Sequence, residues 1–310
     1  MWSAEISDFS LFQLFYFFLI YSFLGWALES CYVSCHTGKW VNRGFINGPF
    51  CPIYGTGALC MILFLTPLQN NLFLQFLGGV LVATVVEYAI AAVLEKLFHA
   101  SWWDYSDKKF NIKGRVCLVR SIQWGALCVV MMHVLQPAVA WLVDKIPRFW
   151  GEIGIMAFLL YLVSDASVTI QQVLHLNEKL AYLRESREEI RAKLEKTKLY
   201  TTKKELAEYF EQLSSVEFLR KWRESMEETY AQMEDRRQEE RLRAEYIWNE
   251  IREKLEYKVR VSEQNNLIQR RLLRAFPKLH SLNFDSELQE MRDAIQKRQK
   301  EKKERKERKQ

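Results

Sequence analysis

The chain has 310 residues, of which 49% are hydrophobic and 26% charged, with a formal net charge of +6. These averages describe neither half of it: residues 1–176 carry ten basic and ten acidic side chains, and residues 177–310 carry 34 and 28. Such a split argues against a uniform globule and for a membrane domain, 1–176, followed by a cytosolic charged helical tail, 177–310. All six cysteines (Cys31, Cys35, Cys51, Cys60, Cys117, Cys128) fall in the first part without a C-x-x-C pair. Four of them lie in or beside the loops expected below to be cytosolic, so disulfides are not expected, and Cys31, Cys35, His36 and Cys51 fit no usual zinc spacing.

The first apolar run, Phe9 to Leu28, holds no charge and is long enough to cross about 30 Å of hydrocarbon. No Lys or Arg precedes Lys39, so a retained span is expected rather than a cleaved signal peptide. Tyr21, Ser22, Gly25 and Glu29 form a small, polar stripe at helical spacing, suited to facing other helices.

Asn42 to Gly57 reads NRGFINGPFCPIYGTG, with four glycines, two prolines and Arg43. Glycine and proline at this density stop a helix. At membrane depth such backbone survives only when buried in protein or lining a wet cavity. The sequence thus singles out this stretch as the functional centre. The second run, Cys51 to Thr66, is broken by Gly55 and Gly57, stops at Pro67, and covers only about 24 Å as a helix. A short, glycine-broken hydrophobic segment points to a binding site in transporters; a thin or tilted ordinary span is the alternative.

Leu72 to Phe98 is the third expected span. Gly79, Ala83, Glu87 and Ala91 recur every four residues, which places Glu87 on a packed face near mid-membrane. The polar, aromatic loop Ala100 to Arg120 follows, with Trp102, Trp103 and Tyr105 suited to the headgroup zone. Leu118 to Val143 is the fourth span, with His133 inside it and a kink expected at Pro137. Gly151 to Leu176, with Asp165 near its middle, is the fifth.

Charge sets the expected orientation. With the N-terminus outside, the inner loops before the tail carry eight basic residues against two outside, and the basic tail is also inside. The tail reads as several helices. Leu176, Leu180, Leu183, Ile190 and Leu194, then Leu206, Phe210 and Leu213, then Ile247, Ile251 and Leu255, have the spacing of coiled-coil or helical-hairpin seams. Thr202 with Glu205, Ser214 with Glu217 and Ser286 with Gln289 resemble capping boxes, and Pro277 with the Ser281–Leu282–Asn283 turn marks a break. From Lys297 onward nine basic residues face three Glu without aromatics, which suits anionic lipid better than nucleic acid.

Glu87 and Asp165 are acids inside apolar spans, where an ionised carboxylate needs a partner or water. Arg43 and Arg120 are the nearest cations by topology, and Glu29 and His133 are candidates for the same polar cluster. Such a cluster serves either as a relay for an ion or substrate or as a packing device. No P-loop, H-E-x-x-H or G-x-S-x-G motif occurs, so no catalytic residue and no cofactor is expected.

The strings FLGW-x-x-E (Phe23 to Glu29) and NRGF-x-NGPFCPIYG (Asn42 to Gly55) resemble the bacterial ABC-transporter permease family of the CmpB-like kind. Trp103 to Ser106, Phe110–Asn111, Gly114–Arg115, Cys117–Leu118, Ser121 and Trp124–Gly125 extend the resemblance over roughly the first half of the chain. It implies a membrane subunit of an ATP-driven transporter, with the ATPase on a separate chain, and brings no catalytic or substrate residue with it.

The expectation is therefore an all-α, polytopic membrane helix bundle of about five spans in the plasma membrane, followed by a cytosolic helical or coiled-coil tail. Its expected role is a permease subunit, in which Asn42, Arg43, Gly44, Asn47, Gly48 and Pro49 shape the cytosolic mouth and Glu29, Glu87 and Asp165 line or brace the interior. Expected partners are a separate ATPase, anionic lipid at the basic C-terminus, and a second copy through the tail; nucleic acid is not expected. A membrane-anchored scaffold and an intramembrane enzyme acting on lipid or cell-wall precursors are the alternatives.

Overall fold

The computed structural model of the chain describes residues 5–6, 8–196, 238–263 and 266–307. A short turn pairs β1 (Glu5–Ile6) with β2 (Phe9–Ser10). Ser10 then caps α1 (Leu11–Thr37): its hydroxyl accepts from the Gln13 amide, and the Gln13 side chain returns to the cap backbone. Two of the donors that a helix start leaves unpaired are thereby satisfied. Gly38, in the left-handed conformation, ends the helix after 27 residues.

α2 (Pro52–Leu65) has proline in its first turn and runs on into the single 3-10 turn Thr66–Leu68. Its 14 residues rise only about 21 Å. Asn71 caps α3 (Leu72–Phe98) by accepting from the amides of Phe73 and Leu74. The fourth span is α4 (Leu118–Val130), a π-helical turn (Met131–Leu135) and α5 (Gln136–Asp144). The interruption expected at Pro137 thus lies in the turn before it, because proline removes an amide donor and crowds the carbonyl one turn back. α6 (Arg148–Lys196) continues well past Leu176, with no glycine or proline after Gly154 to stop it.

Among the described residues, four helices are long and apolar enough to cross a membrane (Leu11–Thr37, Leu72–Phe98, Leu118–Asp144 and Arg148–Ile190), and the shorter Pro52–Leu68 is a fifth apolar segment. Only 11 to 33% of each long apolar stretch is buried. Phe64, Phe73, Leu81, Val134, Trp141 and Leu160 stand exposed, an apolar outer surface that only lipid or protein can cover. The protein is a helical membrane bundle.

The chain folds as two compact units. The first comprises residues 1–174 and 268–283. Its core joins α1, α2, α4, α5 and α6 through Phe12, Phe17, Ile62, Cys128, Val143 and Ile155. The small-residue stripes do the close packing. A Cβ on Gly55 would lie 2.2 Å from the Ser22 hydroxyl and 2.6 Å from the Phe18 carbonyl, so α1 and α2 approach at backbone distance. Gly79 of α3 likewise meets Cys128 and Gly125 of α4. Between α3 and α4, β4 (Asn111–Ile112) and β5 (Val116–Cys117) form a hairpin, and β3 (Ala100–Ser101) pairs with β6 (His280–Ser281).

The second unit comprises residues 175–267 and 284–310. Its described helices are the end of α6, α7 (Gln238–Glu263) and α9 (Asp285–Glu307), with α8 (Leu267–Ala275) falling almost wholly in the first unit. Leu180, Leu183 and Ile190, then Ile251 and Leu255, then Leu288 and Met291 supply its buried apolar side chains. Ion pairs Lys254–Glu189, Arg187–Glu287 and Lys258–Glu290 tie each helix to the other two. The Ser286–Gln289 signal is displaced: α9 already begins at Asp285, and the Ser286 hydroxyl turns to Glu287 at 2.9 Å. The seam at Leu206, Phe210 and Leu213 and the capping signals at Thr202 and Ser214 lie outside the described residues, as do the side chains from Lys297 onward.

Candidate functional site

The connection between α1 and α2 is built around Asn42. Its Oδ1 accepts from the Trp26 indole at 2.8 Å and from the Gly44 amide at 2.9 Å, while its Nδ2 donates to the Asn47 carbonyl at 2.7 Å. Ser30 Oγ accepts from the Arg43 amide, and Ser22 O accepts from the Cys51 amide at 2.9 Å. The amides of Arg43, Gly44 and Cys51 and the carbonyl of Asn47 are thus paired within the protein.

Asp165 of α6 closes the other side. Its carboxylate accepts from Asn47 N at 3.2 Å, Asn47 Nδ2 at 2.9 Å, Gly48 N at 2.8 Å and the Tyr161 hydroxyl at 3.1 Å. A Cβ on Gly48 would fall 1.6 Å from the Tyr161 hydroxyl oxygen, so any other residue here has to displace the Tyr161 side chain from its hydrogen bond to Asp165. The intramembrane acid therefore serves as a loop clamp, a carboxylate satisfied by fixed N–H donors.

The segment 268–283 belongs to the same unit and packs on this loop. Arg271 donates from Nη1 to the Gly44 carbonyl at 2.7 Å and from Nη2 to the Phe45 carbonyl at 2.9 Å. Burial pulls the Arg271 guanidinium below its ordinary pKa, and the Asp165 charge opposes that fall. In return, Arg43 donates to the Ala275 carbonyl and lies over the Phe276 ring at 5.0 Å. Phe276 also meets Trp102 edge-on at 5.0 Å, and Leu282 N donates to His99 O. Lys278 donates to the Asp104 carbonyl at 3.2 Å. Two hydrogen bonds from Ser106 hold the Asp104 carboxyl below the usual carboxylate range.

Within the bundle lies a cavity of about 270 Å³. Most of its wall is apolar, and its polar and aromatic groups include Glu29, Arg43, Tyr54, Glu87, Tyr105 and Trp124. Phe276 contributes to the same wall. Glu29 is fully engaged: Oε1 accepts from the Tyr54 hydroxyl at 2.5 Å, and Oε2 lies 3.5 Å from Arg43 Nε. Glu87 is not. Its Oε1 accepts a long hydrogen bond from the Tyr105 hydroxyl at 3.4 Å, while its buried Oε2 has no hydrogen-bond partner. Burial, with the Glu87 charge beside it, holds the Tyr105 hydroxyl above its ordinary pKa, so it remains a proton donor at neutral pH.

The structure thus divides the residues that the sequence singled out. Glu29, Arg43 and Glu87 reach the cavity; Asn42, Gly44, Asn47 and Gly48 build the loop, and Pro49 is exposed on it. Asp165 is not on the cavity wall. His133 does not join the cluster but pairs with Gln75 at 2.7 Å, and Arg120 turns to Gln123 at 2.9 Å. No set of three or more His, Cys, Asp or Glu side chains among the described residues is grouped to hold a metal. Sequence reasoning missed Arg271 and Phe276 as contributors, and Tyr54 stood in the string NRGF-x-NGPFCPIYG without a role. Tyr105 and Trp124 were visible as parts of the strings WDYS and WG, although without a role.

A bundle of apolar helices with a cavity that holds Glu29, Arg43 and Glu87 defines a polytopic membrane protein. Residues 16–170 match the family described as "Putative ABC-transporter type IV", and the chain belongs to that family. It is accordingly a membrane protein of ABC-transporter type. No curated protein and no solved structure matches the chain. The matched range contains Glu29, the loop, Glu87, Tyr105, Trp124 and Asp165 but not Arg271 or Phe276.

Proposed function

We propose that the chain is the permease subunit of an ATP-driven transporter in the plasma membrane, with the ATPase on a separate chain and no catalysis of its own. The observation that carries this reading is the cavity among α1 to α4, where Glu29, Arg43 and Glu87 meet in an otherwise apolar bundle. Charged side chains inside a membrane are costly and mark pathways for ions or polar substrates. The clamped loop Asn42 to Pro49 forms its cytosolic border, and the N-terminus lies outside. The basic run from Lys297 onward meets anionic lipid.

Affinity purification of the full-length protein in mild detergent tests the subunit reading. A stoichiometric ATPase is the expected companion; purification without one sinks the obligate transporter-subunit idea. Cysteine labelling checks the orientation, with Ser7→Cys reactive from outside and Ser106→Cys from inside.

A further inference from the structure

We propose that the cavity takes an organic cation, an ammonium group on a small apolar body, with the Glu87 carboxylate as its counter-ion and Tyr54 and Trp124 as its aromatic wall. The inference deepens the reading of this cavity as a cargo site and rests on it only for the fate of the ligand.

Three observations single out a cation. First, the wall holds two carboxylates, Glu29 and Glu87, and only Arg43 opposes them. Arg120, the other cation acting on Glu87, is bonded to Gln123 and is not part of the wall. Second, the groups are unequally engaged. Arg43 already serves Glu29, the Ala275 carbonyl and the Phe276 ring, which leaves little for an anion to bind. The Glu87 Oε2, by contrast, is buried with no donor at hydrogen-bond geometry, the Trp124 side chain being a neighbour besides Tyr105 that acts on this carboxylate. A buried carboxylate oxygen lacking its partner is an unmet demand for positive charge or a hydrogen-bond donor. A protonated amine supplies both, and a quaternary ammonium supplies the charge.

Third, the surrounding side chains are those that favour a cation. The rings of Tyr54 and Trp124 meet at 66° with centroids 5.5 Å apart, which gives a corner rather than a flat wall. The negative faces of such rings attract an ammonium group, most strongly where water is excluded. The Tyr105 hydroxyl holds Oε1 of Glu87 from one side, while Oε2 lies buried behind the cavity wall, so the ligand is met by a turn of the Glu87 side chain. The remaining wall, including Leu24, Leu28 and Met61, is apolar and suits a hydrocarbon body. The volume of about 270 Å³ lies at the lower edge of small-molecule sites, so the body is small.

The ammonium can belong to a free solute or to the headgroup of a membrane lipid. The test uses the full-length protein in nanodiscs of phosphatidylglycerol, titrated calorimetrically with benzyltrimethylammonium. The controls are its uncharged carbon isostere, neopentylbenzene, and the anion benzenesulfonate, each corrected by empty nanodiscs. The expected result is binding of the cation about tenfold or more tighter than the isostere, and no binding of the anion. Glu87→Gln should remove that preference and Glu87→Asp should retain it, while Trp141→Phe, on the exposed surface, should change nothing.

Adding phosphatidylethanolamine separates the two sources. Weakened binding of the probe marks a lipid headgroup as the occupant, and unchanged binding marks a free solute; either supports the class. Equal binding of cation and isostere overturns the inference on the unmodified protein alone, whether or not Glu87→Gln folds. So does a preference that survives Glu87→Gln. An ATPase companion bears only on the subunit reading, so the two can fail separately.

Discussion

The two units of this protein solve the same burial problem with opposite signs. In the second unit, leucine and isoleucine turn inward and charge turns outward; Leu183 and Ile190 are fully buried, whereas Arg184 and Glu188 pair on the surface. In the bundle, leucine, phenylalanine and valine turn outward, and Asn42, Glu29, Asp165 and Glu87 turn inward. The solvent decides: water rewards buried hydrocarbon, but lipid is as apolar as leucine and leaves packing and hydrogen bonds to hold helices together. The specific structure of the bundle therefore resides in its polar loop and its close glycine contacts.

The comparison breaks most sharply at Gly48. Gly48→Ala places a methyl into the Tyr161 hydroxyl and separates Asp165 from the loop amides. A loss of about 3 kcal/mol or more is expected, read as a lowered melting temperature in detergent, with poor folded yield. The same exchange at Gly57, where nothing lies within 4 Å, should be almost silent. If both behave alike, the loop is not clamped as described.

Arg271→Ala removes the fork that holds the Gly44 and Phe45 carbonyls. The expected cost is about 2 kcal/mol, appearing as faster amide exchange in residues 42–50 and 268–283. Arg271→Lys should not restore protection, because an ammonium cannot span two carbonyls as a planar guanidinium does. Full protection in Arg271→Ala would mean that the segment 268–283 is held by Phe276 and the β3–β6 pair alone.

The smallest effect is expected from an exchange in the second unit that looks severe. Lys258 is 3% exposed and pairs with Glu290 at 3.1 Å. Replacing both, Lys258→Met with Glu290→Leu, should leave stability within about 1 kcal/mol or raise it, because apolar side chains avoid the desolvation that a buried ion pair carries. Lys258→Met alone should be worse than the double variant, since it strands Glu290. A double variant that unfolds would show that the water-facing unit, like the bundle, takes its structure from polar contacts.

Much of this architecture was legible in the sequence. Length and apolarity located the start of each apolar helix to within a few residues, because about 20 uncharged residues at ~1.5 Å each have few other uses, but not the polar ends by which the first helix runs on to Thr37 and the last to Lys196. The glycine spacing at Gly79, Ala83 and Ala91 marked a packed face, and the density of Gly, Pro and Asn from Asn42 onward marked the loop. The alternation of leucine and charge in the tail told of helices that pack in water.

Which polar group meets which was settled only in three dimensions. Glu87 and Asp165 look alike in sequence, single acids in apolar runs. One faces a cavity with an oxygen left over, while the other is saturated by the amides of a loop more than a hundred residues away. Arg271 and Phe276 sit among dozens of tail charges, and nothing local distinguishes them until β6 pairs with β3 and brings them to Gly44 and Arg43. The reason is one of range. Hydrophobic periodicity reports what a residue's own helix must bury, whereas hydrogen bonds and charges are specific to a partner that the chain may supply from any distance. The sequence determined a helical membrane bundle with a structured polar loop; the tertiary structure decided which acid lines the cavity, which acid clamps the loop, and which part of the tail packs on that loop.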